Sequence, residues 1–221
     1  MTEELWRLGA LDLAGRIAAK ELSSREVIDA HLARIEAVNP AVNAVTVTLA
    51  DGRTVTIRPI RPDDAERVAH FLEAASAESR YSRFHKFVAA PSATLVHFLT
   101  DVDRVRCEAF VCTVNSGESE AIVGEARYVA TGEPGVCELG ILIEDDWQHS
   151  GSAGLLMEAV IDAARERGYR VMEGLVLARN APMLRFARAL GFDLKRVPDD
   201  LRTVRIVLDL GAGRSASGRS P

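Results

Sequence analysis

Cys137-Glu-Leu-Gly-Ile-Leu-Ile-Glu-Asp-Asp-Trp-Gln-His-Ser-Gly-Ser-Ala-Gly154 is the stretch whose reading decides the fold. It runs directly into Leu155-Leu-Met-Glu-Ala-Val-Ile-Asp-Ala-Ala-Arg-Glu-Arg-Gly168. From Val136 to Ile143 the chain is apolar except for Glu138, the pattern of a central strand. A short acidic turn follows, then small residues, then Leu155, Leu156, Ala159, Val160 and Ala163 at helical spacing, with Gly168 as the stop. Small residues between Gly151 and Gly154 leave the backbone open to a ligand. Amides at a helix N-terminus, helped by the helix dipole, then favour an anion. A strand, a phosphate-binding turn and a long helix are expected here.

The wider pattern carries a resemblance. Gln148-x-x-Gly151-x-Ala153 opens the helix five residues after Ile143. Thr54-Val-Thr-Ile-Arg-Pro-Ile-Arg-Pro-Asp-Asp64 precedes it, and Glu173-Gly-Leu-Val-Leu-Ala-Arg-Asn180, Met183 and Leu190-Gly-Phe192 follow. This ordered set resembles the GNAT superfamily of acyl-CoA-dependent N-acyltransferases. Ala77-Glu-Ser-Arg-Tyr-Ser-Arg-Phe84 is similar to a run in its bacterial protein-lysine acetyltransferase branch. The resemblance implies an α/β GNAT fold, a mixed and mostly antiparallel sheet flanked by helices, over residues 44–210. It also implies acetyl-CoA as acyl donor, with no metal.

The same resemblance assigns roles. The loop Gln148, His149, Ser150, Gly151, Ser152, Ala153 and Gly154 would hold the pyrophosphate. The usual arginine or glycine of this loop is replaced by His149, Ser150 and Ser152, which removes a charge and adds two hydroxyls. A backbone amide in Ile141, Leu142 and Ile143 would polarise the thioester carbonyl, an oxyanion-hole role. Asn180 matches the asparagine that helps hold the cofactor and the strand end. Phe186 stands where many relatives carry a tyrosine acid, so no general acid is assigned.

Transfer to an amine also needs a base, because a lysine amine has a solution pKa near ~10.4. Glu138 is the first candidate: it is the lone charge in an apolar strand, where burial would raise its pKa. A solvated strand face, or pairing with an arginine such as Arg127, is the structural alternative. Glu173 is the second candidate. Arg80, Arg83, His85 and Lys86 read as a solvated helix face that an acidic acceptor would also suit.

Before the catalytic region, Leu5 to Ala18 and a segment opened by Ser23-x-x-Glu26, a capping box, form a helical hairpin ending at Asn39-Pro40. Leu13 to Ala44 resembles the N-terminal helices of amidase-signature enzymes, without the catalytic core of that family. Residues 1–43 are therefore expected to be a helical extension that packs on the main domain, on a partner or on a second copy. Asp51-Gly52 marks a hairpin, Asp63-Asp64 a helix cap, and Asn115-Ser-Gly117 a turn. Gly211 onward is expected to be a disordered tail.

Composition narrows the class. The formal net charge of the 221 residues is −5, which gives no electrostatic reason to bind nucleic acid or an acidic membrane. No apolar run is long enough to span a bilayer and no signal peptide is read, so a soluble cytoplasmic protein is expected. Cys107, Cys112 and Cys137 lack metal-type spacing and read as buried thiols. The functional expectation is an N-acetyltransferase acting on an amine, a protein lysine first. The alternatives are a small-molecule amine acetyltransferase and a CoA-binding sensor or docking module without turnover.

Overall fold

The computed structural model describes residues 5–42, 44–88, 91–116, 119–198 and 200–211, the side chains of 35–42 and 116 left aside. The expected tail beyond Gly211 and the turn residue Gly117 lie outside the described residues. The chain divides into two compact units between Ala44 and Val45.

The first unit holds helices α1 (Ala10–Ala18) and α2 (Ser24–Val42). The capping box forms in both directions: the Glu26 N–H donates to Ser23 Oγ at 3.1 Å, and the Ser23 N–H donates to Glu26 Oε2 at 2.8 Å. The Arg34 guanidinium lies over the Trp6 ring. The helix runs through Pro40 to Val42 rather than stopping at Asn39-Pro40.

The second unit is built on an eight-stranded sheet: β1 (Val45–Thr48), β2 (Thr54–Pro59), β3 (Cys107–Ser116), β4 (Ser119–Ala130), β5 (Val136–Ile143), β6 (Val171–Leu177), β7 (Asp193–Val197) and β8 (Asp200–Asp209). Their spatial order is β1-β2-β3-β4-β5-β6-β8-β7. All neighbours are antiparallel except β5 and β6. The mixed, mostly antiparallel sheet expected from the sequence is present. Helices α3 (Ala65–Ala74), α4 (Ala77–Phe84), α5 (Ala93–Thr100), α6 (Ser152–Glu166) and α7 (Ala181–Ala189) complete the unit.

Period-two alternation sends each strand's apolar residues to both faces, and each face has its own core. On one face Leu156, Met157, Val160 and Ala164 of α6 bury against Phe110, Cys112, Val123, Ala126 and Tyr128. On the other, Val68, Phe71 and Leu72 of α3 and Val96 and Leu99 of α5 cover Ala109, Val111, Ile122 and Leu142. Each fully buried aliphatic side chain contributes about 1.5–3 kcal/mol, so the two cores fix the sheet between its helices.

Asp64 departs from its expected role as a helix cap. Its carboxylate accepts two bonds from Arg58, both at 2.7 Å, one from the Arg61 N–H at 2.9 Å, and one from Arg67 at 3.1 Å. Arg58 is 3% exposed and also binds Glu120, so this network ties β2 to β4 at the sheet edge.

Candidate active site

Strands β5 and β6 pair only at Val136–Val171, Cys137–Met172 and Glu138–Glu173. Beyond Glu138, β5 stays paired with β4 as far as Ile143, while β6 follows β8 to Leu177. The facing edges therefore separate, and alternate N–H groups of β5 are left without a strand partner across the gap. A cleft of about 650 Å³ opens there. Of the expected cofactor residues, Ile141, Leu142, Ile143, Gln148, His149, Gly151, Ala153, Gly154, Asn180 and Phe186 line it.

The end of the cleft is the loop between β5 and α6. A single 3-10 turn, Asp145–Trp147, leads to Gln148 in extended conformation. His149 and Gly151 then take positive φ, 63° and 97°, and α6 begins at Ser152. This left-handed turn reverses the chain directly before α6, at the end of the cleft. At the start of α6 the Ser152 N–H donates to Ser150 Oγ at 3.3 Å and the Gly154 N–H to the Gly151 carbonyl at 3.0 Å. Ser150 and Ser152 differ from their expected role. Ser150 Oγ donates to the Trp147 carbonyl at 2.7 Å, and Ser152, 1% exposed, bonds to Ser150 and Trp147. Both hydroxyls brace the turn from inside, and neither residue lines the cleft.

Two contacts that the sequence does not announce hold this loop. The β1–β2 hairpin tip sends Arg53 over the Trp147 ring, 3.9 Å from its centroid, with a bond to the Asp146 carbonyl at 3.2 Å. From the other side, Asp145 takes the start of α4: it accepts from the Ser76 N–H at 2.8 Å, Ser76 Oγ at 3.1 Å and Ser79 Oγ at 2.9 Å. Burial works against ionisation of Asp145, but these donors outweigh it and hold the carboxyl below its usual range. Ser76 in turn caps α4 by accepting the Ser79 N–H. Asn180 does the same for α7, its side-chain oxygen accepting the Met183 N–H at 3.1 Å where the helix wall of the cleft begins.

A second groove, about 600 Å³, lies across Leu139 and Leu175 from the first. Its walls are Phe84, Leu95, Phe98 and Leu99, with Arg83, His85, Lys86 and Glu138 at its polar edge. Glu138 is solvent-exposed, which overturns the expectation of a buried carboxyl. The reason is strand geometry: Cys137 and Leu139 point into the α6 core, so Glu138 must face the other way, into the open groove. Arg127 is not its partner, since that guanidinium bonds Glu125 at 2.5 Å and the Leu99 carbonyl at 2.8 Å. Glu173 sits beside Glu138 in register but is ion-paired to Arg205, with an Nε–Oε2 bond of 2.8 Å, and lines neither space.

The family profile of the acetyltransferase (GNAT) domain matches residues 54–193, most of the chain and the whole of this architecture from β2 up to β7. The chain belongs to the GNAT family. An acetyltransferase of Pseudomonas aeruginosa is 39% identical over 153 residues, 69% of this chain and 82% of that protein. The crystal structure of the GNAT domain of S. lividans PAT shares 33% identity with a TM-score of 0.69, covering 75% of this chain and 96% of that one. A shorter likeness is of the amidase kind read at the N-terminus. One chain of the glutamyl-tRNA(Gln) amidotransferase of Acidothermus cellulolyticus is 47% identical over 57 residues, 26% of this chain and 11% of that protein.

This GNAT enzyme is thus an acyltransferase that uses acetyl-CoA as donor. Gly151 and Gly154 carry no side chain where the loop meets the space, and a Cβ at either would meet nothing within 4 Å. An anion can reach the amides directly. Among the described residues no group of three or more His, Cys, Asp or Glu side chains is placed to hold a metal. No helix among them is long and apolar enough to cross a membrane.

Sequence reading missed the part played by Arg83 and Gly140. Arg83 lines both the cleft and the groove, its side chain 15% exposed, and it lies flat on Gly140. A Cβ at Gly140 would stand 2.3 Å from Arg83 Cζ, so any side chain there would push the guanidinium from this seat. An isolated glycine inside a strand was the available signal. Arg80 is likewise no solvated residue, since its guanidinium bonds the carbonyls of Leu72 and Val88.

Proposed function

We propose that this enzyme acetylates the side-chain amine of a protein lysine, with Glu138 as the base. The observation that carries the reading is the meeting of two spaces at Leu139, Arg83 and Leu175. The cofactor cleft arrives from the loop side, and a groove with Leu95, Phe98 and Leu175 on its walls arrives from the α4–α5 side. A lysine presents four methylenes and a terminal amine, which suits an apolar groove leading to a polar end. Glu138 lines that groove on the strand that also lines the cleft. The likeness to the PAT domain supports a protein acceptor.

In this mechanism the loop and the start of α6 hold the pyrophosphate, and a β5 amide between Ile141 and Ile143 donates to the thioester oxygen. Glu138 takes the proton of the incoming amine, directly or through a water, as its nitrogen bonds to the carbonyl carbon. The amide donor stabilises the negative charge that grows on that oxygen. The carbon–sulfur bond then breaks, and the leaving thiolate takes its proton from water, because Phe186 offers no hydroxyl. Exposed Leu11, Ile28 and Leu32 on the N-terminal helices support a contact role for residues 1–43, with a partner or a second copy.

The test is steady-state transfer to lysine peptides and to small amines. Acetyl-lysine should form on peptides with kcat/KM well above that for free polyamines and amino acids. A preference for the small amines would move the assignment to a small-molecule enzyme. Acetyl-CoA binding without transfer to any amine would make the chain a sensor.

A further inference from the structure

The buried charge at the junction of cleft and groove does not balance. Arg83 and Arg127 share one carboxylate: Arg127 Nε donates to Glu125 Oε1 at 2.5 Å, and Arg83 Nη2 stands 3.8 Å from Glu125 Oε2. The side chains of Glu125 and Arg127 are 7% and 2% exposed. Two guanidinium groups against one buried carboxylate leave one positive charge, which the solvent-exposed Glu138 opposes from the groove side. Arg83 Nε and Arg127 Nη1 are both buried without a hydrogen-bond partner. Burial, reinforced by Arg127 and opposed in part by Glu125 and Glu138, pulls the pKa of Arg83 down, the sign of a cation held against its solvation preference. A buried charge without full compensation is costly to a fold, and its retention points to a ligand that completes it.

The groove side of the junction repeats the imbalance. At the end of α4, His85 takes φ of 52° and turns the chain, so that His85 and Lys86 follow Arg83 along the groove edge. Glu138 is the single acidic residue lining the groove among the described residues, and the reaction commits it to the acceptor amine. An acceptor that brought only its lysine would leave the Arg83–Lys86 side unanswered.

We propose that the groove selects lysines that have an aspartate or glutamate beside them in the acceptor protein, the neighbouring carboxylate being taken by Arg83 with Lys86 at the rim. The inference rests on the lysine reading above and names the acceptor's local chemistry. Arg83 is then a specificity-determining residue, and Gly140 clears the space in which its guanidinium lies.

The experiment uses the full chain, acetyl-CoA and peptides identical except for the residues flanking one lysine: Asp, Asn, Gly or Arg. Thiol release is followed with acetyl-lysine identified by mass spectrometry. The Asp peptide should exceed its Asn isostere by at least about fivefold in kcat/KM, mainly through KM, with the advantage shrinking as salt is raised. Arg83→Gln should erase the Asp–Asn difference, and Arg83→Lys should restore part of it. Lys86→Glu, at an exposed position that the fold does not need, should narrow the difference and improve the Arg peptide. Equal rates on Asp and Asn peptides, or a preference untouched by Lys86→Glu and Arg83→Gln, overturn this inference and leave lysine acetylation standing. No transfer to any peptide, while acetyl-CoA still raises the melting temperature, overturns the lysine reading and the inference with it.

Discussion

Two glycines three residues apart in the phosphate loop should respond to the same substitution with opposite signs. Gly151 sits at φ of 97° with nothing within 4 Å of a built Cβ, so the whole penalty of Gly151→Ala is conformational. Left-handed backbone costs an L-residue about 1–2 kcal/mol. At about 2–4 °C per kcal/mol for a domain of this size, the free enzyme should melt roughly 2–8 °C lower. Gly154 is in the first turn of α6, at ordinary helical φ, also with nothing within 4 Å. There alanine replaces a residue that weakens helices by about 0.5–1 kcal/mol, so Gly154→Ala should melt up to about 4 °C higher. Acetyl-CoA binding should fall in both. In Gly151→Ala the turn relaxes and misdirects one or two amides, each worth about 1.5–3 kcal/mol to a charged group, which is tenfold or more in Kd. In Gly154→Ala the methyl occupies the cleft floor. Differential scanning fluorimetry with and without acetyl-CoA, backed by calorimetric titration, reads all four quantities. A Gly151→Ala protein with wild-type melting and wild-type affinity would refute the claim that the left-handed turn presents the anion site.

Further expectations follow from single contacts. Glu138→Gln should lower kcat/KM at least about tenfold, a loss of ~1.4 kcal/mol of transition-state stabilisation, while calorimetry shows acetyl-CoA affinity unchanged. Asp145 has its folded pKa held below the unfolded value, so its clamp on α4 is fully present above about pH 5 and is lost as pH falls through that lowered value. Melting curves between about pH 5 and pH 3 should accordingly be steeper for wild type than for Asp145→Asn. Burial pushes the thiols of Cys112 and Cys137 up to about 12, so both should resist iodoacetamide at pH 8 until the protein unfolds, as read by mass spectrometry.

What is legible in the sequence is whatever repeats at short range. Gln148-x-x-Gly151-x-Ala153 places the loop, and apolar periodicity places α6 and the strands around it. Ser23 with Glu26 and Asp51-Gly52 mark a local start and a turn that the structure keeps. The errors arise where a residue's partner is distant or its face is set by a neighbour. An apolar strand implies a buried Glu138, yet its face of β5 is covered at Leu142 and open at Glu138. Arg83 reads as part of a solvated face because its seat is Gly140, 57 positions away on another element. Asp64 reads as a helix cap and does stand at the N-cap position of α3, but its carboxylate is taken by Arg58, Arg67 and the Arg61 N–H. Ser150 and Ser152 read as hydroxyls offered to the ligand, but positive φ at His149 and Gly151 turns them into the loop.

The most direct test of lysine acetylation is to follow free thiol release from acetyl-CoA and acetyl-lysine formation in the same reaction, with a protein acceptor mixture freed of small amines. Thiol release equal to acetyl-lysine formed, in wild type and in a slowed Glu138→Gln alike, is the predicted result. Thiol release without acetyl-lysine, or none at all from an enzyme that binds acetyl-CoA, would contradict it.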